Sequence, residues 1–138
     1  MMRNSSLPIH TLREPPANRR PTGDRGERAA EKYLLGEGMQ ILERGLRFRG
    51  GEIDLIGRDG LEIVFIEVKA RSSDRFGAPF EAVTFLKQQR IIRAASYYLA
   101  SRGIWDHACR FDVVSVRFAA DGSARIEHMK DAFRADRR

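Results

Sequence analysis

Apolar and polar positions alternate along this chain with two different periods, and the changes of period mark its elements. Ala30, Tyr33 and Leu34 recur at helical spacing behind Asp24 and Glu27, a pairing that resembles a helix N-terminal box. A first helix beginning near Gly23 is therefore predicted, with Gly36 and Gly38 as its stop. A short strand around Met39 to Glu43 comes next, followed by two apolar, β-branched runs on either side of Asp59-Gly60. Residues 70–79 read as a loop and Phe80 to Ser101 as a long helix ended by Gly103. Arg110 to Phe118 and Ala124 to Met129 read as strands joined at Asp121-Gly122. The order α, β, β, β, α, β, β implies an α/β domain whose mixed sheet is flanked by helices.

Inside the two central runs stand residues that an apolar strand should not contain: Glu52, Asp54, Glu67 and Lys69. Asp59-Gly60 favours a two-residue turn of type I′, which would set Ile56 opposite Ile63, Asp54 opposite Phe65 and Glu52 opposite Glu67. All four charged residues then project to one face, with Asp54 and Glu67 diagonal neighbours roughly 7 to 8 Å apart. Clustered carboxylates repel unless a cation lies between them. A slip of one residue would separate the two strands' charges onto opposite faces, so the inference depends on the turn.

The long helix repeats the anomaly. Val83, Ile91, Ala94, Ala95, Tyr98 and Leu99 share a broad apolar arc, and Lys87 and Gln88 fall inside it. Lys87 can snorkel and Gln88 can bond to backbone; otherwise both point toward the charged end of the sheet.

Composition narrows the partners. At 138 residues the chain has room for one domain with a proper core. Its net charge is +6, but residues 1–22 hold four Arg against one Glu, and residues 129–138 hold four basic against two acidic residues. Most of the excess therefore lies on the tails, which read either as solubilising segments or as contacts to a polyanion. Residues 1–22 contain four of the five prolines and read as a disordered basic leader, residues 23–133 as the folded domain, and residues 134–138 as a basic tail. A single Cys109 excludes an internal disulfide, and three histidines without a cysteine cluster argue against a zinc site. No apolar run approaches the roughly 18 residues of a membrane span, and a cytoplasmic location is expected.

Hydrolysis of a phosphodiester needs a hard cation to neutralise developing charge and to activate water. Magnesium and manganese take oxygen ligands, often one or two carboxylates with several waters retained. Asp54 and Glu67 supply such a ligand set, and Lys69 stands on the same face, where an ammonium can orient the attacking water or stabilise the transition state. Arg47, Arg49, Arg71, Arg75, Lys87 and Arg90 flank these acids in sequence and can hold phosphates.

Asp54, twelve intervening residues and Glu67-Val68-Lys69 resemble the PD-(D/E)xK nuclease signature, with Ile53 where the pattern usually has Pro. The surrounding text, Gly23-Asp24-Arg25-Gly26-Glu27, Arg49-Gly50-Gly51-Glu52-Ile53-Asp54, Phe76-Gly77, Lys87 and Arg110-Phe111-Asp112-Val113-Val114, resembles the bacterial YraN family of endonuclease-like proteins over roughly residues 23–133. That resemblance implies a restriction-endonuclease-like core related to archaeal Holliday-junction resolvases, acting on DNA that is branched or single-stranded. It maps a first-helix metal ligand onto Glu27, and gives Asp54, Glu67 and Glu27 as metal ligands, Lys69 as their catalytic companion and Mg²⁺ or Mn²⁺ as cofactor. Arg47, Arg49, Arg71, Lys87 and Gln88 are then the expected nucleic-acid contacts, and paired cleavage would call for a homodimer. Gly45 stands where the family often has Asn.

Other readings compete at single positions. Glu27 in a first helical turn stabilises the helix dipole without any further role. Glu52 can pair with Arg47 or Arg49 instead of entering the site, and Asp112 can pair with Arg110 or a helix residue. A nucleic-acid-binding module without catalysis, or a protein-interaction domain using the long helix, would retain the same fold.

Overall fold

A computed structural model describes residues 21–72 and 83–135. Helix α1 spans Pro21–Gly36, β1 Gln40–Phe48, β2 Gly51–Asp59, β3 Glu62–Ser72, α2 Phe85–Ser101, β4 Cys109–Phe118 and β5 Ala124–Phe133. This is the α, β, β, β, α, β, β order expected from the sequence. Residues 1–20 of the leader expected at 1–22, most of the loop expected at 70–79 and the last residues of the tail lie outside the described residues, as do Arg75, Phe76 and Gly77, while residues 21–22 open α1 and residues 70–72 extend β3.

Both helices stop as their glycines predict. Met39 N donates to Leu34 O at 3.0 Å and Gly38 N to Leu35 O at 3.0 Å, with Gly38 at φ +95°. Ile104 N to Leu99 O and Gly103 N to Ala100 O repeat that arrangement, with Gly103 at φ +70°. These are Schellman closures, in which only glycine takes the left-handed position without steric cost. The starts differ from expectation. Helix α1 begins at Pro21, ahead of Gly23, and α2 begins at Phe85 rather than Phe80. At the latter, Thr84 is extended, at ψ 158°, and its hydroxyl accepts from Lys87 N, capping the helix there.

The sheet runs in the order β1-β2-β3-β4-β5, antiparallel throughout except for the parallel β3–β4 pair, which α2 connects. Ile63, Phe65, Phe111 and Val113 pack on one face beneath Ile91, Ala94, Tyr98 and Leu99 of α2. Val64, Ile66, Val114 and Val116 pack on the other face against Ala30 and Leu34 of α1. Covered on both sides, β3 reads as an unbroken apolar run from Ile63 to Ile66.

The β2–β3 turn differs from the expected one. Asp59 pairs with Glu62, Arg58 with Ile63 and Ile56 with Phe65, so the two turn residues are Gly60-Leu61 instead of Asp59-Gly60. Gly60 has φ +64° and Leu61 does not have positive φ, the pattern of a type II′ turn, whereas type I′ would require Asp59 itself to be left-handed. The pairing therefore moves by two residues. An even displacement keeps the alternation of faces along the paired residues, and continued one step past the last pair, Leu55 with Ile66, it sets Asp54 opposite Glu67 rather than diagonal to it.

Strand β1 is longer than the short strand expected, because Gly45, at φ +57°, lets it continue past Glu43 to Phe48. At the far side of the sheet, the β4–β5 register shifts between Phe111 and Val113, and Asp131 takes φ +55°. The buried Asp112 carboxylate secures this bulge. It accepts from Arg110 Nε and Nη2, both at 2.9 Å, and from Asp131 N at 3.0 Å, and lies 2.8 Å from His128 Nε2. Among the described residues no helix is long and apolar enough to cross a membrane.

Candidate active site

Strand β2 stays paired with β1 as far as Gly51, but its ladder with β3 ends where Leu55 meets Ile66. At that divergence Asp54 Oδ2 accepts from Val68 N at 2.8 Å. The alternation of an antiparallel ladder would offer that N–H a β2 carbonyl, so the carboxylate replaces a backbone acceptor. Glu67 precedes Val68, and its carboxyl shares a hydrogen bond with Asp54. From the N-terminal turn of α2, Lys87 Nζ approaches Glu67 Oε2 to 3.6 Å.

Two carboxyls so placed cannot both ionise cheaply. Burial, then the charge of Asp54, push Glu67 up to about 8, against the lowering pull of Lys87 and Lys69. Burial also raises Asp54, although the Val68 N–H, the hydrogen bond with Glu67 and the charge of Lys87 favour its ionised form. Burial and mutual repulsion thus favour one proton shared by the pair near neutral pH. A divalent cation would replace that proton. The donor set, two carboxylates, fits a hard ion such as Mg²⁺ or Mn²⁺, which takes oxygen ligands.

The other expected residues fall at varied distances from this centre. Lys69 lies two residues beyond Glu67, opposite Ser115 of β4, and Arg71 continues the row opposite Arg117. Glu27 is on α1, across the sheet from α2, and its Oε1 is shielded from solvent. Its neighbour Gly26 abuts β3 so closely that an added Cβ would sit 2.7 Å from Ala70 Cβ. Among the described residues no three acidic, histidine or cysteine side chains converge as a ready metal cage; the carboxyls brought together are those of Asp54 and Glu67. Glu52 takes the partner that was its alternative, with Arg47 Nε 3.0 Å from its Oε1. Gln88 donates its side-chain amide to Val83 O at 2.9 Å, the backbone partner foreseen for it, and Arg49 is exposed on the β1–β2 turn.

One feature of the site was not legible in advance. The turn at Gly50-Gly51 seats directly on α2, where a Cβ on Gly51 would lie 2.5 Å from Arg90 O and one on Gly50 3.2 Å from Arg93 Cδ. Between turn and helix is a cleft of about 490 Å³ lined by Arg47, Gly50, Gly51, Glu52, Lys87 and Arg90. The paired glycines were the available signal, since two adjacent residues without side chains mark a close backbone approach.

The model of the uncharacterised protein family UPF0102, the YraN family, matches residues 26–116. This chain belongs to that family. A UPF0102 protein of Symbiobacterium thermophilum is 49% identical over 116 residues, covering 84% of this chain and 98% of its own. One of Chlorobium chlorochromatii is 51% identical over 124 residues, with 86% and 95% covered, and one of Clostridioides difficile is 43% identical over 116 residues, with 84% and 99% covered. The UPF0102 match takes in Glu27, the Asp54–Glu67 pair, Lys69, Lys87 and the Gly50-Gly51 turn.

Proposed function

We propose that this UPF0102 protein is a metal-dependent endonuclease that hydrolyses phosphodiester bonds of branched or single-stranded DNA. The observation that carries the reading is the buried Asp54–Glu67 pair, two carboxyls within hydrogen-bond reach at the point where β2 leaves β3. The pair lies beside the cationic Lys87 and Lys69, the companions that metal-assisted phosphodiester hydrolysis calls for. Asp54 and Glu67 would hold the ion, with Glu27 as the third ligand that the resemblance implies. When bound, Mg²⁺ or Mn²⁺ supplies a Lewis acid that lowers the pKa of water and offsets charge on the phosphoryl oxygens.

The chain's own groups divide the remaining work. Val68 N–H fixes one oxygen of Asp54, which orients the carboxylate without a flexible partner. Lys69 orients the attacking water and stabilises the transition-state charge. Lys87 holds Glu67 from the helix side and, with Arg47, Arg49 and Arg71, receives backbone phosphates. Cleavage of paired strands would use two copies related by a dyad.

Asp54→Asn and Lys69→Ala test the assignment. With Mn²⁺, the wild type is expected to cut single-stranded or four-way DNA. Both variants should keep the wild-type circular dichroism and DNA binding but lose cleavage. A wild type that binds DNA yet is inert on duplex, single-stranded and four-way substrates would establish the non-catalytic module in place of the enzyme.

A further inference from the structure

We propose that the flank of α2 from Lys87 through Arg90 and Arg93 to Tyr97 is a track for a single-stranded DNA segment, with the stacked Tyr97 and Phe48 rings as its base platform. The inference rests on the nuclease reading for its choice of DNA and sharpens the substrate to unpaired strand at the site. Lys87, Arg90, Arg93 and Tyr97 lie three or four residues apart, so they share one flank of the helix. At 1.5 Å per residue they cover roughly 15 Å. One end of this row is at the acidic pair, through the 3.6 Å contact of Lys87 with Glu67. Its middle borders the cleft of about 490 Å³, where the side-chain-free Gly50-Gly51 turn forms a backbone wall opposite Arg90.

Several arginines elsewhere in the fold are held by carboxylates. Arg44 is held by Glu31, Arg102 by Glu43, and Arg110 by Asp59, Glu62 and Asp112. Arg90 and Arg93 are exposed, and among the described residues neither is bound by a carboxylate. Exposed guanidinium groups leading from an acidic centre suit a chain of phosphates.

The far end supplies what a phosphate chain alone does not need. Tyr97 is 43% exposed, and its ring lies 6.2 Å from that of Phe48 at an interplanar angle of 26°. An aromatic face at the end of a cationic row matches the alternation of phosphate and base in a single strand. A duplex hides its base faces and would meet the same surface through phosphates only.

Binding measured in EDTA tests the track without cleavage. The probe is a thymidine oligonucleotide carrying one 2-aminopurine, compared with its duplex and with a single-stranded RNA of the same sequence. The wild type should bind the single strand more than tenfold tighter than the duplex and quench the 2-aminopurine. Tyr97→Phe should retain both properties. Tyr97→Leu, with its circular dichroism unchanged, should lose the quench and about five- to 150-fold in affinity, and Arg90→Gln should reduce the logarithmic salt dependence by about 0.7. Equal or tighter binding of duplex, tighter binding of RNA, or an unaltered quench in Tyr97→Leu would overturn the proposal. Quenching by a protein that cuts nothing in Mn²⁺ would retire the nuclease reading and keep the track; cleavage of duplex unaffected by Tyr97→Leu would do the reverse.

Discussion

Replacing Asp112 by Ala removes the acceptor at the centre of the β4–β5 bulge, and the cost can be worked from its partners. The carboxylate has no exposed surface and serves two Arg110 nitrogens, His128 and the N–H of Asp131. Removing one partner of a buried ion pair typically costs about 3–5 kcal/mol, because the remaining charge is stranded. Here Arg110 keeps Asp59 at 3.0 Å and Glu62 at 3.1 Å, which places the expectation near the low end, about 3 kcal/mol. For a domain of this size that corresponds to a melting temperature lower by on the order of 10–13 °C. The effect carries a pH signature. Burial pulls the Asp112 pKa upward, but hydrogen bonds from His128, Arg110 and Asp131 N outweigh it and hold the carboxyl below its ordinary 3.8. A lowered carboxyl contributes stability above its unfolded pKa and loses it as pH falls through the folded value. The gap between wild type and Asp112→Ala should therefore be full near neutrality and shrink below about pH 4. Urea denaturation across pH 2 to 7 measures both features. A loss under about 1 kcal/mol at pH 7, or a gap that does not change with pH, would refute the role given to this carboxylate.

Two further predictions concern packing and charge. Gly26→Ala should destabilise the fold by about 1–3 kcal/mol in chemical denaturation, since its Cβ meets that of Ala70 at 2.7 Å, while Gly36→Ala, with nothing within 4 Å, should stabilise by about 0.4–1 kcal/mol; equal effects would contradict the α1–β3 contact. Glu67→Gln removes an acid whose folded pKa is raised from 4.5 to about 8, so the wild type should lose stability as pH climbs through that window and the variant, left with the raised Asp54 alone, should lose less. Parallel stability profiles for the two proteins over that range would rule out the strained pair.

Much of this arrangement is legible in the sequence because side-chain parity tolerates some errors of register. The Asp59-Gly60 signal places the turn one residue early, yet Asp54, Glu67 and Lys69 keep their faces because the displacement of the pairing is even. The difference lies in turn chemistry: Gly60 serves as the first residue of a type II′ turn, with Leu61 left 87% exposed beside it. Lys87 was visible as a charge in an apolar helical arc, and its contact with Glu67 explains it. The close approach of Gly50-Gly51 to α2 and the stacking of Phe48 on Tyr97 depend on how a turn and a helix meet, which no local period encodes. Nor does local pattern tell whether Glu27, on a helix across the sheet, reaches the carboxylate pair.

The central claim is that Asp54 and Glu67 form a divalent-cation site, and calorimetric titration of Mn²⁺ into the whole protein tests it most directly. Run near pH 7 in buffers of different ionisation enthalpy, binding should release about one proton per ion, because the metal displaces the proton shared by the Asp54–Glu67 pair. Glu67→Gln and Asp54→Asn should each abolish that coupled binding. Mn²⁺ binding with no proton release, or binding that persists unchanged in both variants, would contradict the account.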